Sequence, residues 1–286
     1  MDKPAGMTSH DVVAVVRRAA RSKRVGHAGT LDPFATDLLV IAVGPCTRLL
    51  PYVVGEPKVY DAEIRFGHET DTDDSTGSIT TVRDVPAFTA QSLHAALATL
   101  TGPIAQVPPV YSAKHVDGKR AYALARRGDA VVLPPVTVTV HAWDVLEVGN
   151  PYLRARITCA GGTYVRALAR DLGRALDTAA HCGTLRRIAS GPASVASAVV
   201  LSDLTPGAIA DGSVALQSPL PALGDIAHEP LDAEGIRDLS HGRSLLARRP
   251  GALAALLYGD AVVGIAQRTA DDRWQPRVVL LDGVAA

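Results

Sequence analysis

Two stretches of the chain alternate residue by residue between apolar and polar side chains, and few folds accommodate both. In "KVYDAEIRFG", Tyr60, Ala62, Ile64 and Phe66 share one side, while Val59, Asp61, Glu63 and Arg65 share the other. "YLRARITCAGG" repeats the pattern, with Leu153, Ala155, Ile157 and Cys159 set against Arg154, Arg156 and Thr158. A period of two puts successive side chains on opposite faces, so each run predicts a half-buried strand. The second run ends at Gly161-Gly162 and gives way to "TYVRALARDLGRAL", where Val165, Leu168, Leu172 and Leu176 recur at helical spacing. Strand, glycine turn and amphipathic helix together call for a sheet with helices packed on its apolar face.

The remaining segments fit that plan. "TSHDVVAVVRRAA" predicts a helix opening at Thr8 or Ser9, with Asp11 placed for a capping box and Val12, Val15, Val16 and Ala19 on one face. "TAQSLHAALATLTG" predicts a second helix through Leu93, Ala96, Leu97 and Leu100, ended by Gly102 and Pro103. After the proline-rich "VPPVYSAKH", the segment "DGKRAYALARRG" reads as a short basic helix, and "PPVTVTVHAWDVLEV" as a strand with Val136, Val138 and Val140 on one face. Beyond "SPLPALGD" short strands take over, with a hairpin-like turn at Tyr258-Gly259-Asp260, which predicts a small β-rich domain from about Leu223 onward.

With 286 residues, 47% of them hydrophobic, the chain can bury one large core and a smaller second one. Cys46, Cys159 and Cys182 are scattered and form no CxxC pair, which argues against a disulfide framework and against zinc, and makes a reducing cytoplasm the expected setting. No apolar run approaches the roughly 18 to 20 residues that cross a bilayer, and no signal-peptide pattern opens the chain. The 29 Lys+Arg balance the 29 Asp+Glu, but unevenly along the sequence. "RRAARSKR" carries five basic residues and no acid, Lys114 to Arg127 carries five against Asp117, and Arg154 to Arg187 carries seven arginines against Asp171 and Asp177. Any one such run reads as a solvated face; three together favour a polyanionic partner.

The chemistry-bearing candidate is the loop "GHAGTLDPFAT", Gly26 to Thr36. Pro33 pushes Asp32 toward an extended backbone, so Asp32 is either the acceptor of an Asx turn or an acid held in place for a purpose. His27, five residues earlier, lacks a second ligand at metal spacing. Arg166 in the first turn of a helix opposes the helix dipole by about 0.3 kcal/mol or more, and so calls for an anion beside it. The acidic "DTDDST" has Thr76 where a calcium loop needs Gly and Val82 where it needs Glu, which rejects calcium. No phosphate-binding loop, dinucleotide fingerprint or nucleophile elbow is present, so no cofactor and no metal are expected.

The segments "DKPAGMTSHDVV", "GHAGTLDPFAT", "KVYDAEIRFG", "PPVYSAKHVDGKRAY", "GGTYVRALARDLG" and "TLRRIASGP" resemble, in order and spacing, the bacterial TruB family of tRNA pseudouridine synthases. The resemblance covers about Asp2 to Pro192 and, more loosely, a C-terminal part whose "LSHGRSL" resembles a PUA-type RNA-binding module. It implies an α+β fold: a pseudouridine synthase-like catalytic domain with a mixed, largely antiparallel sheet over residues 1–222, an RNA-gripping insertion at about 104–134, and a small PUA-like β domain over 223–286. It further implies conversion of uridine 55 in the T-loop of tRNA to pseudouridine after base flipping. Asp32 matches the family's catalytic aspartate, Tyr60 its active-site tyrosine and Arg166 its active-site arginine. His27 and Tyr164 match substrate-binding positions, and Lys114, Lys119 and Arg120 fall in the segment that grips the tRNA arm.

On that reading the protein is a cytoplasmic monomer with tRNA as its partner and no membrane or nucleotide cofactor. The competing reading is a non-catalytic tRNA-binding or RNA-folding protein on the same scaffold. Two positions depart from the family pattern. The family has a short apolar strand before "DKPAG", where this chain starts at Met1-Asp2, and it usually has Gly where this chain has Asp37. Asp37 is expected to point outward, since facing Arg166 it would compete with Asp32.

Overall fold

The computed structural model describes residues 1–112, 115–116, 119–120 and 133–281. Its first half runs β1 (Asp2–Lys3), α1 (Ser9–Ala19), β2 (Val25–Ala28), β3 (Thr36–Leu38), β4 (Val40–Val43), β5 (Lys58–Phe66), β6 (His68–Thr70), β7 (Ile79–Val82), α2 (Ala90–Thr99) and β8 (Gly102–Gln106). There follow β9 (His115–Val116), β10 (Lys119–Arg120), β11 (Val136–Val148), β12 (Tyr152–Cys159), α3 (Val165–Ala175), β13 (Ala180–Ser190) and β14 (Ala193–Ser194). The last part holds β15 (Ala227–Pro230), α4 (Ala233–Ser240), β16 (Leu245–Leu246), β17 (Leu253–Tyr258), β18 (Ala261–Arg268) and β19 (Arg273–Val279).

The main sheet has the order β1-β3-β13-β5-β12-β11-β8, with β14 attached to β13. Only β3 and β13 pair in parallel, so the sheet is mixed and largely antiparallel. The two alternating runs are neighbours, with Tyr60 opposite Ile157, Ala62 opposite Ala155 and Ile64 opposite Leu153. These side chains pack with Val12 and Val16 of α1, Leu93 and Leu97 of α2, and Leu168 and Leu172 of α3 into one core. On the other face the same register sets Asp61 against Arg156 and Glu63 against Arg154, paired at 2.7 Å and 3.0 Å. Each strand therefore satisfies both of its faces.

Helix α1 starts where its capping box places it: Thr8 Oγ1 accepts from the Asp11 amide at 3.2 Å, and Asp11 accepts from the Thr8 amide at 2.8 Å. Helix α2 stops at Thr99, and Gly102, at φ +84°, turns the chain into β8. The basic helix expected over "DGKRAYALARRG" does not begin at Lys119, because Lys119–Arg120 pair antiparallel with His115–Val116; the rest of that segment lies outside the described residues. At the edge of the main sheet, Asp2 and Lys3 pair with Leu38 and Asp37.

The C-terminal sheet has the order β15-β17-β18-β19-β16 and forms the small PUA-like β unit. Its core contains Ile236, Leu239, Leu256, Val263 and Trp274. A second apolar cluster, with Leu223, Ala255, Ile265 and Val278, packs against Leu49 of the 44–52 helical turn. The fully buried Glu229 accepts from the amides of Arg248 and Arg249 and from Trp274 Nε1, tying the β16–β17 loop to the sheet.

Candidate active site

The glycine-rich loop runs between β2 and β3 and is fixed from several sides. Ser9 Oγ, at the start of α1, accepts the Leu31 amide at 3.0 Å. The buried ammonium of Lys3 donates to the carbonyls of Pro4, Met7 and Pro33, and Arg187 on β13 donates to the Gly29 carbonyl at 3.0 Å and to Leu38 O at 2.8 Å. Gly29, at φ +77°, needs the left-handed conformation that glycine adopts without strain. The result is that Asp32 projects from a loop anchored by Leu31 and Ala35 in the core and by these hydrogen bonds.

The anion that Arg166 calls for is Asp32. Arg166 Nε donates to Asp32 Oδ2 at 2.8 Å and Nη2 to Asp32 Oδ1 at 3.0 Å, a two-pronged pair. The arginine side chain is 3% exposed and the aspartate 35%, so the cation is sealed beneath an acid that reaches solvent. Nη1 also donates to the Thr72 carbonyl at 2.7 Å, with Asp74 at 3.5 Å, and Nη2 to the Tyr111 carbonyl at 3.0 Å. Every direction in which the guanidinium can donate is thus occupied, which holds the carboxylate in one orientation.

Around that pair lie the aromatic candidates. Tyr60 sits on β5 with 7% exposure, and burial raises its phenol, with the Arg187 cation opposing and the Asp32 charge adding to the rise. Tyr164 precedes α3 and is held by Gln106, whose side chain accepts the Tyr164 amide at 2.9 Å and donates to its carbonyl at 3.1 Å. Burial raises the Tyr164 phenol as well. His27 stands edge-on to His10 at 5.8 Å between ring centres, and burial lowers its pKa, so the ring is neutral at neutral pH. It lines a cavity of about 380 Å³ with Gly29, Glu56, Lys58 and Ser190. Lys114 lies outside the described residues; Lys119 and Arg120 are placed as backbone in β10, and their side chains are not described.

Two expectations are corrected. Asp37 points inward: it is 1% exposed and pairs with Arg186 Nε at 2.8 Å, because β3 lies between β1 and β13 and Arg186 supplies the countercharge. It does not approach Arg166 as a partner. The arginine-rich stretch from Arg154 to Arg187 is not a free basic face. Arg154, Arg156, Arg170, Arg174 and Arg186 pair with Glu63, Asp61, Asp73, Glu69 and Asp37, Arg166 takes Asp32, and Arg187 is buried on carbonyls. Exposed cations are found in the last turn of α1 and just after it, Arg18, Arg21 and Lys23 among them. Sequence reading missed Thr72, Asp74, Gln106 and Arg187; the concentration of acids in "HETDTDD" facing an arginine-rich helix was the available signal.

Among the described residues no group of three His, Cys, Asp or Glu is arranged to hold a metal ion. The arrangement offers one oriented carboxylate, two phenols and a cavity beside the loop, which suits acid–base or nucleophilic chemistry by side chains.

Comparison with known proteins agrees with this geometry. The family model described as TruB family pseudouridylate synthase (N terminal domain) matches residues 17–165, more than half of the chain. The chain belongs to the TruB family. A second model, the tRNA pseudouridylate synthase B C-terminal domain, matches residues 166–218. Proteins named tRNA pseudouridine synthase B are 43% identical over 88% of this chain and 81% of the relative in Paenarthrobacter aurescens, and 49% identical over 71% and 72% in Thermobifida fusca. The Xanthomonas campestris protein of that name is 39% identical over 97% of this chain and 91% of its own. In fold, the TruB chain resembles the crystal structure of a Cbf5-Nop10-Gar1 complex, with a TM-score of 0.69 at 24% identity over 94% of this chain and 77% of the other. The archaeal box H/ACA sRNP Nop10-Cbf5 complex gives a TM-score of 0.70 at 22% identity over 98% and 84%.

Proposed function

We propose that this TruB-family chain converts uridine 55 in the T-loop of tRNA to pseudouridine, with Asp32 acting at the sugar. The observation that carries the reading is the two-pronged Asp32–Arg166 pair, an accessible acid on a buried cation. The isomerisation breaks the bond from C1′ to N1 and makes one from C1′ to C5; the C5 proton leaves and N1 regains one. Nothing is oxidised or reduced, so a carboxylate beside the sugar suffices, either attacking C1′ or removing the 2′ proton. Arg166 keeps that carboxylate aimed, since two parallel hydrogen bonds from a fixed guanidinium leave it one orientation.

The target base leaves its stack before reaction, at a cost of a few kcal/mol, roughly, that contacts in the site offset. Tyr60 is the platform for the extruded base and Tyr164 lines the same site, with stacking worth about 1 to 3 kcal/mol. His27 takes the space vacated in the rearranged RNA loop, where its neutral ring avoids carrying a charge into the stack. Lys114, Lys119 and Arg120 bind phosphates of the arm, which positions the RNA while loop shape supplies selectivity. Residues 1–222 carry the reaction and 223–286 form a separate RNA-binding module.

The test is incubation of the full chain with an unmodified tRNA transcript, followed by mapping of pseudouridine at single-nucleotide resolution. A product confined to the T-loop uridine is expected, and replacing that uridine by cytidine should abolish it. Pseudouridine at other positions only would overturn the assignment of substrate.

A further inference from the structure

Two arginines one turn apart on α3 grip the same two segments. Arg166 donates to Thr72 O at 2.7 Å and to Tyr111 O at 3.0 Å. Four residues on, Arg170 pairs with Asp73 at 2.7 Å, donates to Val107 O at 2.9 Å and pairs with Asp171 at 2.9 Å. The acidic turn and the 107–111 segment, which leads toward the insertion, are therefore each pinned twice, once by the arginine that aligns Asp32 and once by its neighbour. Asp73 is the side chain of that turn that engages the second arginine. It is 7% exposed, and its backbone lies in the left-handed region at φ +59°. Its carbonyl accepts the Cys182 amide of β13 at 3.0 Å. A buried acid in a strained backbone weakens a fold unless something else is gained, and such sites concentrate where geometry serves function.

We propose that Asp73 is a positioning residue for the reaction: through Arg170 it fixes the 70–74 turn and the 107–111 segment, and so the Arg166 guanidinium that aims Asp32. The proposal rests on the reading that this chain isomerises uridine. Asp73 is faced from α3 by Arg166, Arg170, Asp171 and Arg174, from its own turn by Glu69, Asp71 and Asp74, and from β13 by Cys182. The 107–110 segment presents the Val107 carbonyl and apolar side chains. Asp73, Arg170, Arg174, Glu69, Asp71 and Val107 border a cleft of about 340 Å³ beside the pair. Burial pushes the Asp73 carboxyl up to about 6, with Arg170 and then Arg166 pulling it down. Above that pH the pair is charged and the clamp is closed; below it the proton neutralises Asp73 and the clamp loosens.

The experiment follows single-turnover tritium release from C5-labelled uridine in full-length tRNA between pH 5 and 8, with tRNA affinity measured alongside, for the native chain, Asp73→Asn and Arg170→Lys. The native rate should fall roughly tenfold per pH unit below the Asp73 midpoint. Asp73→Asn should be slower by about tenfold or more at pH 7.5, because small misplacements of reacting groups are costly. It should bind tRNA nearly as tightly as the native chain and lack the fall near pH 6. Arg170→Lys keeps the charge and loses the fork, so its midpoint should move to higher pH; if Asp73→Asn fails to fold, this shift decides. An Asp73→Asn chain with native rate and native acid limb, or an Arg170→Lys midpoint that does not move, overturns the proposal. A native chain that binds tRNA but releases no tritium at any pH removes the reaction itself, and the proposal with it.

Discussion

Replacing Asp37 by glycine should make the protein more stable, and the size of the effect follows from four local quantities. Asp37 sits at φ +80°, in the left-handed region, and relieving that conformation returns about 1 kcal/mol, aspartate being among the residues that tolerate it best. Its Oδ1 is buried without a donor, and the Asp2 carboxyl lies beside it; removing an unsatisfied buried acceptor returns about 1 to 3 kcal/mol. Against this, glycine costs about 0.5 to 1 kcal/mol in chain entropy. The lost pair with Arg186, whose side chain is 54% exposed, costs about 0.2 to 1 kcal/mol. The balance is a gain of about 0 to 3 kcal/mol, centred between 1 and 2, roughly, and read by urea denaturation at pH 7. Asp37→Asn, which keeps the backbone tolerance and drops the charge, should recover part of it. Because burial raises the Asp37 carboxyl, the native chain pays its penalty as pH rises, so the gain should shrink in acid. An Asp37→Gly chain less stable than native by more than about 1 kcal/mol would mean that the Arg186 pair outweighs strain and burial together, and would refute the reasoning.

Arg166→Lys should lower single-turnover rate by about 100-fold or more, because an ammonium has three donors on one atom and cannot keep both prongs on Asp32 together with Thr72 O and Tyr111 O; a loss under threefold would show that the fork is dispensable. Neutralising Lys119 and Arg120 together should weaken tRNA binding and reduce its salt dependence by up to about two counterions, and an unchanged salt slope would remove that segment from the RNA face. Asp73 should also leave a mark on stability of opposite sign to its effect on rate. Its folded carboxyl at about 6, against 3.8 for the ordinary group, contributes stability that is full below pH 3.8 and is lost as pH rises through 6. The difference is about 3 kcal/mol. From pH 4 to 7.5 the native chain should therefore lose up to about 3 kcal/mol relative to Asp73→Asn, and parallel denaturation curves would exclude the raised carboxyl.

The elements legible in the sequence were those with long, unbroken periodicity or a chemical cap. The alternation at Tyr60 to Phe66 and Leu153 to Cys159, the Thr8–Asp11 box and the apolar face of α3 all reappear where the pattern places them. Arg166 at a helix start demanded an anion, and Asp32 supplies it. Strand β13 escaped notice although it lies inside the sheet, because bulges between Cys182 and Thr184 and between Arg187 and Ala189 break its alternation. Arg187 is also a charged residue at 1% exposure, satisfied by carbonyls that no spacing rule brings near it. Strands of two to four residues, such as β1, β2 and β3, carry too few side chains for a period to register. The acids of the 69–74 turn could be read only as an unsuitable calcium loop, since their partners Arg166, Arg170 and Arg174 stand about a hundred residues away. Asp37 was misjudged for the same reason: its countercharge, Arg186, comes from a strand paired in parallel.

The central claim is that Asp32, aimed by Arg166, performs the isomerisation. Its most direct test is single-turnover tritium release from C5-labelled uridine in an unmodified tRNA, native chain against Asp32→Asn, with affinity for the tRNA measured on both. Release by the native chain alone, with affinities within about threefold, is the predicted result, since the missing charge acts in chemistry more than in binding. Equal release by both proteins would contradict the claim.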